Sequence, residues 1–254
     1  MVKTALVTGV ARGIGKAICE RLLSDGYVVH GTYFQSKEQA EDLQSQYGAD
    51  RLLLHGPFDF RRTEDVERLV KDLDGTRLNT IVSNAGMFSE NDDFYTFDLN
   101  DFQEVMNCNF YAALILCTGL RENIEPNGAI IILSSNDAFP GAFASISYTV
   151  SKAALISLTH CLAVNFGPLG VRVNAVAPGA INTDMNTPEQ EFDAPLFTPL
   201  GRIAQPQEVA GVVSFLCSPD ASFVTGDIVT IDGGYTNTSV LLLNEASRLR
   251  AGGD

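Results

Sequence analysis

Thr4-Ala5-Leu6-Val7-Thr8-Gly9-Val10-Ala11-Arg12-Gly13-Ile14-Gly15 is the stretch that decides the fold. Its first five residues are apolar and β-prone, and they run straight into a glycine turn. Beyond the turn, Ile14, Ile18, Leu22 and Leu23 recur at helical spacing until Asp25-Gly26 ends the helix. Alone, such glycines mark only a turn. Between a strand and a helix they let the backbone bend tightly and approach a pyrophosphate, whose charge sits at the helix N-terminus. This stretch is therefore a candidate dinucleotide site.

Working outward, the alternation continues. Strands are expected over Tyr27 to Tyr33, Arg51 to His55, Leu78 to Val82, Gly128 to Leu133, Val171 to Val176 and Ile228 to Ile231. Helices are expected over Thr63 to Leu73, with Thr63 as the capping residue, over about Leu99 to Asn123, around Tyr148, and over Gln207 to Leu216. Strand and helix in turn predict an α/β fold: a single doubly wound, Rossmann-type domain with a central parallel sheet of about seven strands. That domain spans residues 1–235, followed by a C-terminal extension over 236–254. The extension carries Val240-Leu241-Leu242-Leu243 and either packs on a neighbouring subunit or the site, or is a partly ordered terminus.

Composition narrows the partners. A formal charge of −14 opposes binding to nucleic acid or to an anionic membrane. Met1-Val2-Lys3 leads directly into a strand, so no leader is expected, and the apolar runs fall short of the roughly 20 residues that span a bilayer. Cys19, Cys108, Cys117, Cys161 and Cys217 are odd in number and set among apolar residues, as expected of reduced core thiols in a cytoplasmic protein. His30, His55 and His160 have no metal-site spacing, so no metal is expected.

The chemistry points to Ser134 through Lys152. Tyr148 and Lys152 stand at i, i+4 and share one helix face. A free tyrosine is a poor acid or base at neutral pH, with a pKa of about 10, and a neighbouring ammonium is expected to lower it. Ser135, just before, is placed to hydrogen-bond the oxygen that exchanges the proton. A lone Tyr-x-x-x-Lys pair is otherwise a solvated helix face. At the end of the second strand, Tyr33-Phe34-Gln35-Ser36-Lys37 has no acid before Glu38. An acid there would repel a ribose 2′-phosphate, whereas Arg12 with Ser36 or Lys37 would hold one, which favours NADP(H) with NAD(H) open. Alternatively, Lys37 only starts a helix whose surface carries Glu38, Glu41 and Asp42. Ser83-Asn84-Ala85-Gly86 ends the fourth strand with small residues that let a ring or ribose approach the backbone.

Together, Thr8 to Gly15, Asp59, Asn84-Ala85-Gly86, Asn109, Ser135, Tyr148, Lys152, Pro178-Gly179 and Asp232-Gly233-Gly234 resemble the motifs of the classical short-chain dehydrogenases/reductases, over nearly the whole chain. The resemblance implies a catalytic tetrad of Asn109, Ser135, Tyr148 and Lys152. Tyr148 would exchange the proton, Lys152 would lower its pKa and hold the nicotinamide ribose, Ser135 would orient the carbonyl, and Asn109 would hold a relay water. Ser134 and Asn107 compete with Ser135 and Asn109. By the same resemblance, Gly9, Gly13, Ile14 and Gly15 would receive the pyrophosphate and Asp59 the adenine. Asn84, Ala85 and Gly86 would support the adenine-side ribose, and Pro178, Gly179, Ile181 and Thr183 would line the carboxamide side. Ser83 departs from the family, which commonly has asparagine there.

The substrate pocket is expected between Asn136 to Ala144, the loop after Gly86, and Asp184 to Leu200, with Phe139, Phe143, Met185, Phe192, Leu196 and Phe197 as apolar walls or loop packing. Relatives of this length include 3-oxoacyl carrier-protein reductases, which dock an acidic partner through basic residues. Here Glu125-Pro126 and Pro168-Leu169 are not basic, so a free ketone or secondary alcohol is the preferred substrate. The resemblance also implies a homotetramer. A non-catalytic NADP(H) sensor on the same fold is the competing class.

Overall fold

Along β1 (Lys3–Val7), Leu6 packs into one hydrophobic cluster and Ala5 and Val7 into another, as a strand's period of two requires. Repeated along β2 (Tyr27–Thr32), β3 (Leu52–His55), β4 (Leu78–Ser83), β5 (Ile124–Leu133), β6 (Arg172–Pro178) and β7 (Ile228–Ile231), this pattern buries both faces of a sheet. The computed structural model describes residues 2–89, 94–141, 145–183 and 197–239. The sheet has seven strands in the order β3-β2-β1-β4-β5-β6-β7, and every pairing is parallel.

One face is covered by α1 (Gly13–Ser24), α2 (Lys37–Tyr47) and α7 (Pro206–Cys217), through Ile18, Leu22, Leu43 and Val213. The other is covered by α3 (Thr63–Asp72), α4 (Leu99–Met106), α5 (Ala112–Gly119) and α6 (Ile146–Phe166), through Leu69, Leu116, Leu155 and Phe166. Strand order reverses between β1 and β4, so a crevice opens there beyond the carboxyl ends of the strands. This is the doubly wound single domain that the alternation predicts.

Four local expectations need correction. The helix expected over Leu99 to Asn123 is interrupted by a π-helical turn at Asn107–Tyr111 and ends at Gly119. β5 begins at Ile124, ahead of Gly128, because Leu78 N–H pairs with Asn123 O and Leu78 registers with Ile124. Arg62, not Thr63, occupies the N-cap of α3 and makes no side-chain cap bond. Finally, α6 with its following turn is long and apolar enough to cross a membrane. Its Leu155, Leu158, Leu162 and Phe166 are buried against the sheet, which makes it a core helix.

Candidate active site at the carboxyl edge of the sheet

The glycine turn, which continues from β1, is tied to two neighbouring strands. Val10 N–H donates to Thr32 O (3.0 Å) and Gly9 N–H to Thr32 Oγ1 (3.1 Å), fixing the turn against the end of β2. Thr8 Oγ1 accepts from Asn84 N and Ala85 N (2.9 Å each), and Asn84 Nδ2 donates to Thr8 O (2.8 Å), fixing it against the end of β4. Asn84 thus braces the turn. A Cβ at Gly15 would come within 2.0 Å of Gly9 O and 2.4 Å of Asn84 Nδ2, so only glycine lets α1 approach this closely. Arg12 stands exposed at the N-cap of α1 and contributes no side-chain cap bond, which leaves the positive end of the helix facing the crevice. A groove of about 230 Å³ beside it is lined by Gly13, Lys16, Asn182 and Thr183, with Glu20 at its side. Uncapped donors, a helix pressed close by Gly15 and an adjoining groove together fit a dinucleotide pyrophosphate.

Opposite, the loop after β6 holds Pro178 and Ile181 buried, with Thr183 half-buried over Gly13. Gly179 N–H donates to Ile231 O (3.0 Å), and a Cβ on Gly179 would meet Asp232 at 2.8 Å. Beyond β3, Asp59 is held by Arg61: Arg61 Nη2 lies 2.6 Å from Asp59 Oδ2, and Arg61 Nε lies 2.9 Å from Asp59 Oδ1. Ser36 caps α2 without a side-chain bond, while the exposed Lys37 ammonium sits 3.5 Å from Glu41 on the helix surface.

The residues expected to react lie just past β5, in the π-turn and on α6. Lys152 is buried at 5% exposure; its ammonium donates to Leu133 O (2.7 Å) and sits 5.4 Å from the centroid of the Tyr148 ring. Tyr148 shares a hydrogen bond with Ser135 and meets the edge of Phe88 at 6.3 Å. The two competing serines separate cleanly. Ser134 donates to Lys152 O (2.9 Å) and braces the helix, leaving Ser135 beside the phenol. The two asparagines separate as well. Asn107 donates to Arg61 O (2.9 Å) on the far side of the turn. Asn109 accepts from Met87 N (2.8 Å) and donates to Met87 O and Ser151 Oγ (2.9 Å each). Ser151 in turn donates to Tyr148 O (2.7 Å). The π-turn therefore links the loop after Gly86 to the helix carrying Tyr148 and Lys152. Such turns recur at functional sites because they free and re-aim backbone groups.

Burial dominates the electrostatics. It pushes Tyr148 up to about 12, with the Ser135 hydrogen bond acting against it and the Asp137 carboxylate acting with it. It pulls Lys152 down to about 8. The expected lowering of Tyr148 by Lys152 is thus absent from this arrangement. Low polarity disfavours both charged forms, and the ammonium is directed at Leu133 O. At neutral pH Tyr148 is a neutral phenol.

Of the expected pocket walls, Phe139 and Phe197 are exposed, whereas Phe143, Met185, Phe192 and Leu196 lie outside the described residues. The expected loop after Gly86 supplies Met87 and Phe88, whereas Ser151 and Arg61 were not expected at the site; Arg61, two residues from Asp59, carried a local signal.

A family model described as "Enoyl-(Acyl carrier protein) reductase" matches residues 9–236. The chain is similar to the 3-oxoacyl-[acyl-carrier-protein] reductase FabG of Aquifex aeolicus, 36% identical over 247 residues, covering 91% of this chain and 96% of that protein. It is also similar to the cyclic-di-GMP-binding biofilm dispersal mediator protein of Escherichia coli, 35% identical over 239 residues, covering 92% and 97%. Among solved structures, a short-chain dehydrogenase from Burkholderia cenocepacia in complex with NADP superposes with a TM-score of 0.87 at 31% identity, covering 94% of this chain and 99% of that one. With the motif glycines on one sheet edge and these matches spanning almost the whole fold, the chain belongs to the short-chain dehydrogenase/reductase family of oxidoreductases.

Proposed function

We propose that this protein is an NADP(H)-dependent reductase of free ketones, and the corresponding dehydrogenase of secondary alcohols, with Tyr148 as general acid/base. The observation that carries the reading is the placement of Tyr148, hydrogen-bonded to Ser135 and backed by buried Lys152, beside the glycine turn. Bound nicotinamide supplies the hydride. Tyr148 passes its proton to the carbonyl oxygen as charge develops there, and takes it back in oxidation. Ser135 holds that oxygen in line with the phenol. Lys152 holds the nicotinamide ribose, its ammonium anchored on Leu133 O beside the Tyr148 ring. Asn109 keeps the π-turn seated, so that a relay water has a fixed backbone to bind.

Gly9, Gly13, Ile14 and Gly15 receive the pyrophosphate, Asn84, Ala85 and Gly86 the ribose, and Pro178, Gly179, Ile181 and Thr183 the carboxamide side. The preference for NADP(H) is supported by the acid-free end of β2 and by exposed Arg12, and similar proteins are solved with NADP or NADPH. Arg12 is the stronger candidate for the 2′-phosphate, because Lys37 already faces Glu41.

A 3-oxoacyl thioester on a carrier protein is the second reading, favoured by the name of the Aquifex relative. Against it, Arg77 is paired with Glu125 at 2.9 Å and Leu169 is exposed, so at these two segments an acidic carrier would meet a carboxylate and an apolar side chain. The same proposal includes a reducing, cytoplasmic setting, supported by free Cys19, Cys108, Cys117 and Cys217 in the core, although Cys161 is exposed. It also includes a homotetramer, supported by exposed Leu99 and Tyr111 on the α4–α5 side. The test is oxidation of NADPH and of NADH over a panel of ketones, acyl thioesters and carrier-bound thioesters, with Tyr148→Phe in parallel. Turnover with free ketones that vanishes in Tyr148→Phe is expected. Turnover that survives in Tyr148→Phe removes the tyrosine from the chemistry, and turnover confined to carrier-bound thioesters selects the second reading.

A further inference from the structure

Beside the hydroxyls of Ser135 and Tyr148 stands a carboxylate that the chemistry above does not use. Asp137 lies in a short 3-10 turn over Asn136–Ala138, directly after Ser135. The turn is fixed on that serine: Asp137 N–H donates to Ser135 Oγ and Ala138 N–H to Ser135 O (3.1 Å each). Asn136, in the same turn, packs against the loop after β6, where a Cβ on Gly179 would come within 3.3 Å of Asn136 Nδ2. The Asp137 carboxylate also shares a hydrogen bond with Ser135 and acts through space on the Tyr148 phenol, pushing it up. Asp137 is open to solvent, and so to a substrate, on one side. Crowding on the other pushes its carboxyl above the usual value, with the Ser135 bond acting against that. Among the described residues no arginine or lysine pairs with it. The Lys152 ammonium is directed at Leu133 O instead.

Such a placement works against an uncharged substrate. Negative charge develops on a carbonyl oxygen as it is reduced, and an unpaired carboxylate beside the donors opposes it. A cation on the substrate removes that opposition and gains an ion pair. Phe88, exposed and edge-on to the Tyr148 ring at 6.3 Å, adds an aromatic surface of the kind that receives alkylammonium groups. The formal charge of −14 draws cations toward the protein as a whole. We propose that Asp137 is a specificity-determining residue, and that the substrate is a ketone or secondary alcohol carrying an ammonium group near the reacting carbon. This rests on the ketone-reductase reading above and narrows its substrate class.

The test compares kcat/KM with NADPH for phenacyltrimethylammonium and for its uncharged isostere, neopentyl phenyl ketone. The proteins are the wild type, Asp137→Asn and, should that variant fail to fold, Asp137→Ala, with thermal unfolding as the fold check. The two ketones differ in intrinsic reactivity, but that difference is the same in every protein and cancels between them. Asp137→Asn keeps the backbone N–H on Ser135; it is expected to lower kcat/KM for the cation about tenfold and to leave that for the isostere equal or higher. In parallel, calorimetric titration of unreactive benzyltrimethylammonium into the NADP⁺-loaded wild type is expected to show binding that weakens about tenfold in Asp137→Asn. Equal losses for both ketones, or cation binding that is absent from the wild type or unchanged in the variants, would overturn the proposal. Cation binding that depends on Asp137, with neither ketone turned over by any protein, would instead sink the reductase reading.

Discussion

Replacing Lys152 with methionine is expected to make the protein more stable at pH 7 while abolishing reduction. Lys152 is buried and its pKa is drawn down from 10.5 to about 8. At about 1.4 kcal/mol per unit, holding that ammonium charged in the fold costs about 3 kcal/mol. Its bond to Leu133 O returns about 1–2 kcal/mol, and methionine forfeits that. Methionine fills a similar volume, so the net gain at pH 7 is about 1–2 kcal/mol. The sign follows from linkage. The folded-state pKa lies below the unfolded value, so the unfolded chain binds the proton more tightly between about pH 8 and 10.5. The wild type therefore carries the full penalty below about pH 8 and sheds it as pH rises toward 10.5. Urea unfolding of both proteins at pH 7 and near pH 10 reads this directly. Methionine should lead at pH 7 and lose that lead near pH 10. A variant less stable at pH 7, or a difference independent of pH, would refute the account of burial as the dominant influence. A gain in stability with loss of activity is what a strained functional group predicts.

Two further outcomes test other parts of the structure. Asn109→Ala removes three hydrogen bonds that seat the π-turn, to Met87 N, Met87 O and Ser151 Oγ, and should cost about 3 kcal/mol, or about 6–10 °C in Tm; a fall below about 2 °C in thermal unfolding would mean that the turn is held by packing alone. His30 Nδ1 lies 2.9 Å from His55 Nε2, and burial, reinforced by His55, draws His30 down to about 4. The unfolded chain then binds the proton first, so stability should drop as pH falls from about 6.5 toward 4, and His30→Phe should flatten that part of the unfolding-versus-pH curve. An identical slope in both proteins would show that the pair is not the source.

Much of this protein was legible in its residues taken in order. Gly9 to Gly15 between an apolar strand and a helix fixes a βαβ start, because only glycine tolerates the turn at Gly9 and the packing at Gly15. The strand–helix alternation then leaves a doubly wound parallel sheet as the arrangement that buries both faces. Tyr148 and Lys152 fall on one helix face by periodicity alone. Residue by residue, the choice between two serines and two asparagines was open, and only the family's spacing favoured Ser135 and Asn109, since neighbours in sequence diverge in direction only when the backbone is placed. Ser134 turns to Lys152 O and Asn107 to Arg61 O, leaving Ser135 and Asn109 facing the site. The π-turn escaped notice because it changes the ladder of backbone bonds without changing the apolar pattern. The balance between a lysine's charge and the burial around it is likewise a property of depth, which no local spacing encodes. Sequence determined the scaffold and the kinds of groups on its edge; tertiary structure decided which of them meet, because direction and burial exist only once distant strands are side by side.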